Sequence, residues 1–145
     1  MTATNADAVG YVDATIKLTV TYDSDMQADF DDLRFTSSDG TTQISHFIET
    51  YTASTEAVVW VKVPTLATST DTEIFMYYGN GGVTDGSVGT TTFSFIDTFE
   101  DGDIAEYTGE TGEFAVDSSA AYERTYRLEA SDSLNSKTNE ILRDT

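Results

Sequence analysis

The amino-acid sequence predicts an all-β protein, an antiparallel β-sandwich of the jelly-roll or immunoglobulin-like kind with an acidic C-terminal β extension. Three observations lead there. Apolar residues alternate with a period of two or run unbroken over the length of a strand. Helical spacing is confined to one short stretch. The 8 Tyr, 8 Phe and single Trp among 145 residues supply a packed core, against the disorder that a net charge of −19 otherwise favours.

Residues 1–10 carry no alternation and are expected to form a flexible N-terminal arm. From Tyr11 to Val20, Ile16, Leu18 and Val20 share one parity while Lys17 and Thr19 take the other, the pattern of a half-buried strand. Between Ser24 and Asp32 the pair Met26 and Phe30 stands at i, i+4, which predicts one helical turn. Leu33 to Thr36 reads as a short strand, and Ser37-Ser38-Asp39-Gly40 as a turn. His46 to Tyr51 and Glu56 to Val63 follow, the second dense in β-branched and aromatic residues and expected to be a central strand covered on both faces and ended by Pro64. Glu73 to Tyr78 is the last strong strand signal.

The stretch Gly79 to Gly89 holds five of the ten glycines, a density that predicts an exposed hinge. The domain reading is therefore a sandwich over 11–80, a Gly-rich linker over 81–92, and an acidic extension over 93–145. Residues 93–145 contain 13 acids and 4 bases, and their apolar residues thin out to Phe93, Phe95, Ile96 and Phe99, then Phe114, Val116, Tyr126, Leu128, Ile141 and Leu142. That is too little for an independent core.

Asp and Glu number 26 against 7 Lys and Arg. Such a surface repels phosphates and anionic headgroups, which argues against nucleic-acid partners and membrane binding. No run approaches the ~18 apolar residues of a membrane span, and Met1 to Asp7 has neither the cationic nor the apolar region of a secretory signal. The absence of cysteine removes disulfides, thiolate metal sites and thiol nucleophiles. Asp outnumbers Lys 16 to 3 and Ser plus Thr fill 38 positions. Dense carboxylates of this kind cease to repel one another when the Debye length falls to ~3 Å in molar salt, and the composition reads as halophilic.

Five blocks in a fixed order resemble an uncharacterised prokaryotic family of extracellular β-sandwich modules. They are Tyr22 to Thr36 with Asp32-Leu33-Arg34-Phe35, Asp39-Gly40-Thr41-Thr42, Phe47 to Tyr51, Ala57-Val58-Val59-Trp60-Val61-Lys62-Val63-Pro64, and Met76-Tyr77-Tyr78-Gly79-Asn80. Phe95 to Asp103 resembles the opening of a concanavalin A-like jelly roll. The chain departs from the family pattern in lacking a Trp-rich opening strand and in carrying Phe47 where Trp is favoured. The resemblance implies surface display, adhesion and glycan recognition in archaeal, bacterial and phage-like proteins, and supplies no catalytic residues.

Candidate sites follow from residue type and spacing. Asp97, Glu100, Asp101 and Asp103 place four carboxylates around Gly102, a donor set of the kind that holds Ca²⁺ with oxygens at about 2.3–2.6 Å. The spacing lacks the EF-hand pattern, and a solvated acidic loop is the plainer reading. Asp23, Asp25, Asp29, Asp31 and Asp32 form a weaker cluster of the same type. Asp32 and Arg34, two apart on a strand, are expected to make a structural ion pair. His46, the single imidazole, is expected to face solvent or an interface, since Ser45 points to the opposite face and forms no nucleophile–base pair with it. Trp60, Tyr77 and Tyr78 offer rings to sugars but sit in runs that read as core. The acid pair Glu110 and Glu113 lacks the aromatic frame of a glycosidase cleft. Phe93, Phe95, Ile96 and Phe99 form an apolar cluster expected at a contact between copies of the chain.

The functional expectation is a non-enzymatic structural or adhesion module of a halophilic virus particle: a capsid decoration, turret, head fibre or tail fibre contacting the host surface. Its partners would be further copies, other virion proteins and a cell-surface glycan or glycoprotein, with Ca²⁺ as the one candidate ion. The competing expectation is a fragment of a secreted or cell-surface adhesin or carbohydrate-binding protein of a halophilic archaeon.

Overall fold

The computed structural model describes residues 1–105, 107–108, 114–117 and 127–130. The chain divides into two compact units, Met1–Ile96 and Asp97–Thr145. The first unit is an all-β sandwich of two antiparallel sheets. Its strands are β1 (Thr2–Thr4), β2 (Tyr11–Thr21), β3 (Arg34–Ser37), β4 (Gln43–Ile44), β5 (His46–Thr52), β6 (Glu56–Leu66) and β7 (Asp71–Tyr77), followed by the single-turn helix α1 (Gly89–Thr92). One sheet has the order β1-β7-β3-β4 and the other β2-β6-β5.

Alternation along β6 builds the core. Ala57, Val59, Val61 and Val63 are buried, while Val58, Trp60 and Lys62 lie on the opposite face and are only half-buried. Val20 joins them from β2, and Phe35, Ile44 and Ile74 come from the facing sheet. The segment between β2 and β3 fills the remaining space with Met26, Phe30 and Leu33, all buried. Phe30 meets Tyr22 and Tyr51 edge-on at 6.0 and 6.2 Å, a favoured geometry for aromatic pairs. The expected helical turn is replaced there by successive tight turns, with Met26 N–H bonded to Asp23 C=O, Phe30 N–H to Gln27 C=O and Leu33 N–H to Phe30 C=O. Phe30 adopts φ +64°, which a continuing helix forbids and which its full burial sustains.

Three further expectations are corrected. Residues 1–10 are not a free arm: β1 pairs with β7, and the Met1 amine donates to Ile74 C=O at 2.8 Å. Asn5 is buried and donates through Nδ2 to the carbonyls of Val9 and Leu66. Backbone pairing and one amide hold this segment, so it shows no apolar pattern. Pro64 does not end β6, which runs on to Leu66. The residue facing Pro64 in the β2 register is Asp13, at φ +53°, a local irregularity of the sort that admits a proline. Finally, the first unit extends through Ile96, beyond the expected boundary at residue 80.

In the second unit, β8 (Phe114–Asp117) pairs antiparallel with β9 (Arg127–Ala130). Phe99 and Tyr107 stack with ring centroids 6.1 Å apart. The Glu110 and Glu113 pair and the apolar residues Tyr126, Ile141 and Leu142 lie outside the described residues.

Candidate functional site

The Gly-rich stretch after β7 is fastened along the sandwich as a strap. Asp32, buried two residues before β3, accepts from Gln27 N–H at 3.0 Å and from Gly79 N–H at 2.6 Å. Gln27 donates through Nε2 to the carbonyls of Asn80 and Val83 at 3.1 and 2.9 Å. Arg34 donates to Thr84 C=O at 2.7 Å, and its other terminal nitrogen donates to the carbonyls of Asp31 and Leu33. The strap then runs beside β5, where Val88 N–H donates to His46 C=O and Ile48 N–H donates to Ser87 Oγ, at 2.9 and 2.8 Å. The expected Asp32–Arg34 ion pair is not formed. Each side chain is spent instead on backbone groups, which a single carboxylate and a five-donor guanidinium satisfy better than they satisfy one another.

Two glycines lie where an added Cβ would force a neighbouring side chain to shift. A Cβ on Gly86 would lie 2.7 Å from the Arg34 guanidinium carbon, and one on Gly89 would lie 2.9 Å from the Ile96 side chain. Their role is close approach rather than flexibility.

His46 sits beneath this strap, 2% exposed, with its ring 5.2 Å from that of Phe35. The expectation of a solvent-facing or interface histidine is therefore corrected. Its register partner is Val61 on the core side of β6, so the parity of the sheet turns it inward. Burial, reinforced by the Arg34 charge and partly opposed by Asp85, lowers its pKa to about 4. It is neutral at neutral pH, and its buried Nε2 has no hydrogen-bond partner among the described residues. The pKa of Asp31 is raised from its ordinary value by desolvation and by the charges of Asp29 and Asp85.

A second cluster occupies the outer face of the β2-β6-β5 sheet. The register of β5 on β6 shifts between Ile48 and Thr50, a bulge of the kind that re-aims a side chain. Glu49 sits there and accepts from Trp60 Nε1 at 2.9 Å and from Lys17 Nζ at 3.4 Å. Lys17 also lies 5.4 Å from the Trp60 ring centroid. Phe93 meets Trp60 and Phe47 edge-on at 5.6 and 5.9 Å. Phe93 and Ile96, expected at a contact between copies, thus pack within the first unit, and Phe95 is the member left 60% exposed.

The candidate calcium residues are not gathered. Asp97 Oδ1 accepts from Phe99 N–H, Asp101 Oδ1 from Asp103 N–H, and Asp103 Oδ1 from Ala105 N–H, the local turns that Asp side chains form in preference to converging. Among the described residues no group of three or more His, Asp or Glu is placed to hold a metal ion. The strap contacts escaped sequence reasoning because they join Arg34 to Thr84 and Asp32 to Gly79. The two nearest signals were the parity of His46 and the run of glycines.

Residues 29–111 match the family described as Domain of unknown function (DUF2341), over more than half of the chain. No curated protein and no solved structure matches the chain. The matched stretch includes β3 to β7 and the whole strap with its Asp32, Arg34 and His46 anchors, and the chain belongs to the family Domain of unknown function (DUF2341).

Proposed function

We propose that this chain is a non-enzymatic structural and adhesion module of a halophilic virus particle, a capsid decoration, turret, head fibre or tail fibre that meets the host surface. The observation that carries this reading is where the acidity lies. Among the acids of residues 1–96 only Asp32 is buried, and it is bound to backbone N–H groups. The other acids of residues 1–96 are exposed or half-buried, with Lys17, Arg34 and Lys62 as the only bases of that stretch, an arrangement suited to a surface that stays hydrated in concentrated salt. A two-sheet sandwich with its long Gly-rich segment strapped down suits a part that must survive outside the cell. Its partners are other virion proteins and a host glycan or glycoprotein, and its recognition needs neither nucleic acid nor membrane insertion.

The second reading, a fragment of a halophilic archaeal adhesin or carbohydrate-binding protein, is favoured by the exposed rings of Tyr51, Phe75, Tyr77 and Tyr78, which suit stacking on sugars. The test is twofold. The thermal midpoint, followed by near-ultraviolet circular dichroism, is expected to rise between about 0.1 and 2 M KCl, and antibody against the chain is expected to label purified particles of a halophilic virus. A flat or falling midpoint overturns the halophilic reading, and labelling confined to cell envelopes replaces the virion by the adhesin.

A further inference from the structure

The two sheets differ in how their edges are finished. In the four-stranded sheet the edge strands β1 and β4 are only 3 and 2 residues long. In the other sheet the β5 edge is bonded to the strap through Val88 and Ser87. The exception is β2, which is 11 residues long and pairs only with β6 among the described residues. A free edge of that length presents a row of outward N–H and C=O groups able to pair with another strand.

We propose that the occupant of this edge is a second copy of the chain, with two β2 strands pairing antiparallel about a two-fold axis at Thr15 to make one six-stranded sheet. The β2 sequence selects this register. With Thr15 on the axis, Asp13 of each copy stands opposite the partner's Lys17, both on the outer face, and opposite charges meet twice. Centring on Asp13 or Lys17 would set like charges against each other, and centring on Ala14 or Ile16 would leave Asp13 and Lys17 with only the partners they have within one copy, Lys62 and Glu49. A shift by an odd number of residues would place core-facing side chains opposite outer ones.

The same register accounts for Val12. It has the parity of Ala14, Ile16, Leu18 and Val20, which pack on or within the core, yet it is 80% exposed. In the pair Val12 lies opposite the partner's Leu18 and Ala14 opposite the partner's Ile16, so the apolar faces of the two sandwiches become continuous. Closed two-fold pairing also removes the edge from further addition and stops growth at the dimer. With a charge of −19 on each copy, screening by molar salt favours the pairing.

The test uses the full chain in 2 M KCl. Sedimentation at about 100 μM is expected to give a dimer. Val12→Glu, a change at an exposed position, is expected to shift it to monomer with an unchanged near-ultraviolet spectrum. Because the chain has no cysteine, a single introduced thiol reports the axis. Opposed residues on paired strands lie about 4.5–5.5 Å apart, within disulfide reach. Thr15→Cys is expected to cross-link quantitatively under a mild oxidant. Thr19→Cys, whose two copies would stand about 27 Å apart, is expected to stay monomeric on a non-reducing gel. A monomeric parent chain overturns the proposal, as does equal cross-linking of the two variants. A dimer that survives Val12→Glu but dissociates on Phe95→Asp overturns it in favour of the apolar cluster around Phe95.

Discussion

The Gly-rich strap and the acidic loop at the start of the second unit both read from the sequence as irregular polar segments, and their hydrogen bonds differ in kind. Both are polar and contain glycine, with one carboxylate in the strap, Asp85, and four in the loop. Residues 79–89 are held by Gln27, Asp32, Arg34 and the β5 backbone, partners up to 56 residues away in sequence. In residues 97–105 the Asp97, Asp101 and Asp103 carboxylates each accept a bond from an N–H two residues ahead. Composition alone, rich in glycine in one segment and in carboxylates in the other, does not say which of them is fastened down. What separates them is whether a buried, preorganised partner stands within reach of the segment's backbone groups.

The largest expected effect breaks the strap at its most buried anchor. Asp32→Ala strands the Gln27 and Gly79 N–H groups at about 1–3 kcal/mol each, and denaturant unfolding is expected to register a loss of about 4 kcal/mol. Limited proteolysis of that variant is expected to cut within 79–89 first, whereas the parent chain protects that stretch as well as β6.

Protonation of His46 offers a second way in. Its folded pKa of about 4 lies below its ordinary value of 6.5, so the unfolded state binds more protons between those values and stability rises with pH across that window. The contribution is intact above pH 6.5 and declines as pH falls toward 4, by up to about 3 kcal/mol. Carboxylates titrate over part of the same range, so the measurement is the difference between the parent and His46→Leu. The variant's stability is expected to depend less on pH between 6.5 and 4, and equal slopes would remove His46 from the account.

Gly86→Ala tests the close approach alone. The added methyl meets a guanidinium fixed by three carbonyls, and relief by displacing the strap is expected to cost about 1–2 kcal/mol. Smallest is Asp101→Asn in the loop, expected within about 0.5 kcal/mol of the parent. Millimolar Ca²⁺ is expected to leave the thermal midpoint of both unchanged. A midpoint raised by Ca²⁺ in the parent and not in the variant would return the loop to the class of metal sites.

Much of the sandwich was legible because it is written in local periodicity. The alternation in β2 and the dense run of β6 mark strands, and the apolar side of that alternation is the side that faces the core. The same rule located His46 on a strand without settling its face, since Phe47 competes with Ile48 for the interior. Pairing with Val61 and Val59 decides the matter: His46 and Ile48 turn in, Phe47 turns out toward Phe93. The acidic loop was read as a candidate cation site from donor count, a property that spacing alone does not convert into convergence.

By itself the sequence determined the all-β class, the identity of the main strands, most of the core and the density of surface charge. Each of these depends on side chains near one another along the chain, or on sums over it. Tertiary structure decided that Thr2 to Thr4 is a strand, that the glycines form a strap, that Asp32 and Arg34 serve backbone groups, and that Phe93 folds back onto Trp60. These rest on hydrogen bonds to peptide groups and on ring contacts between distant segments. A peptide group is the same at every residue, so the partner it will find leaves no mark in the local pattern.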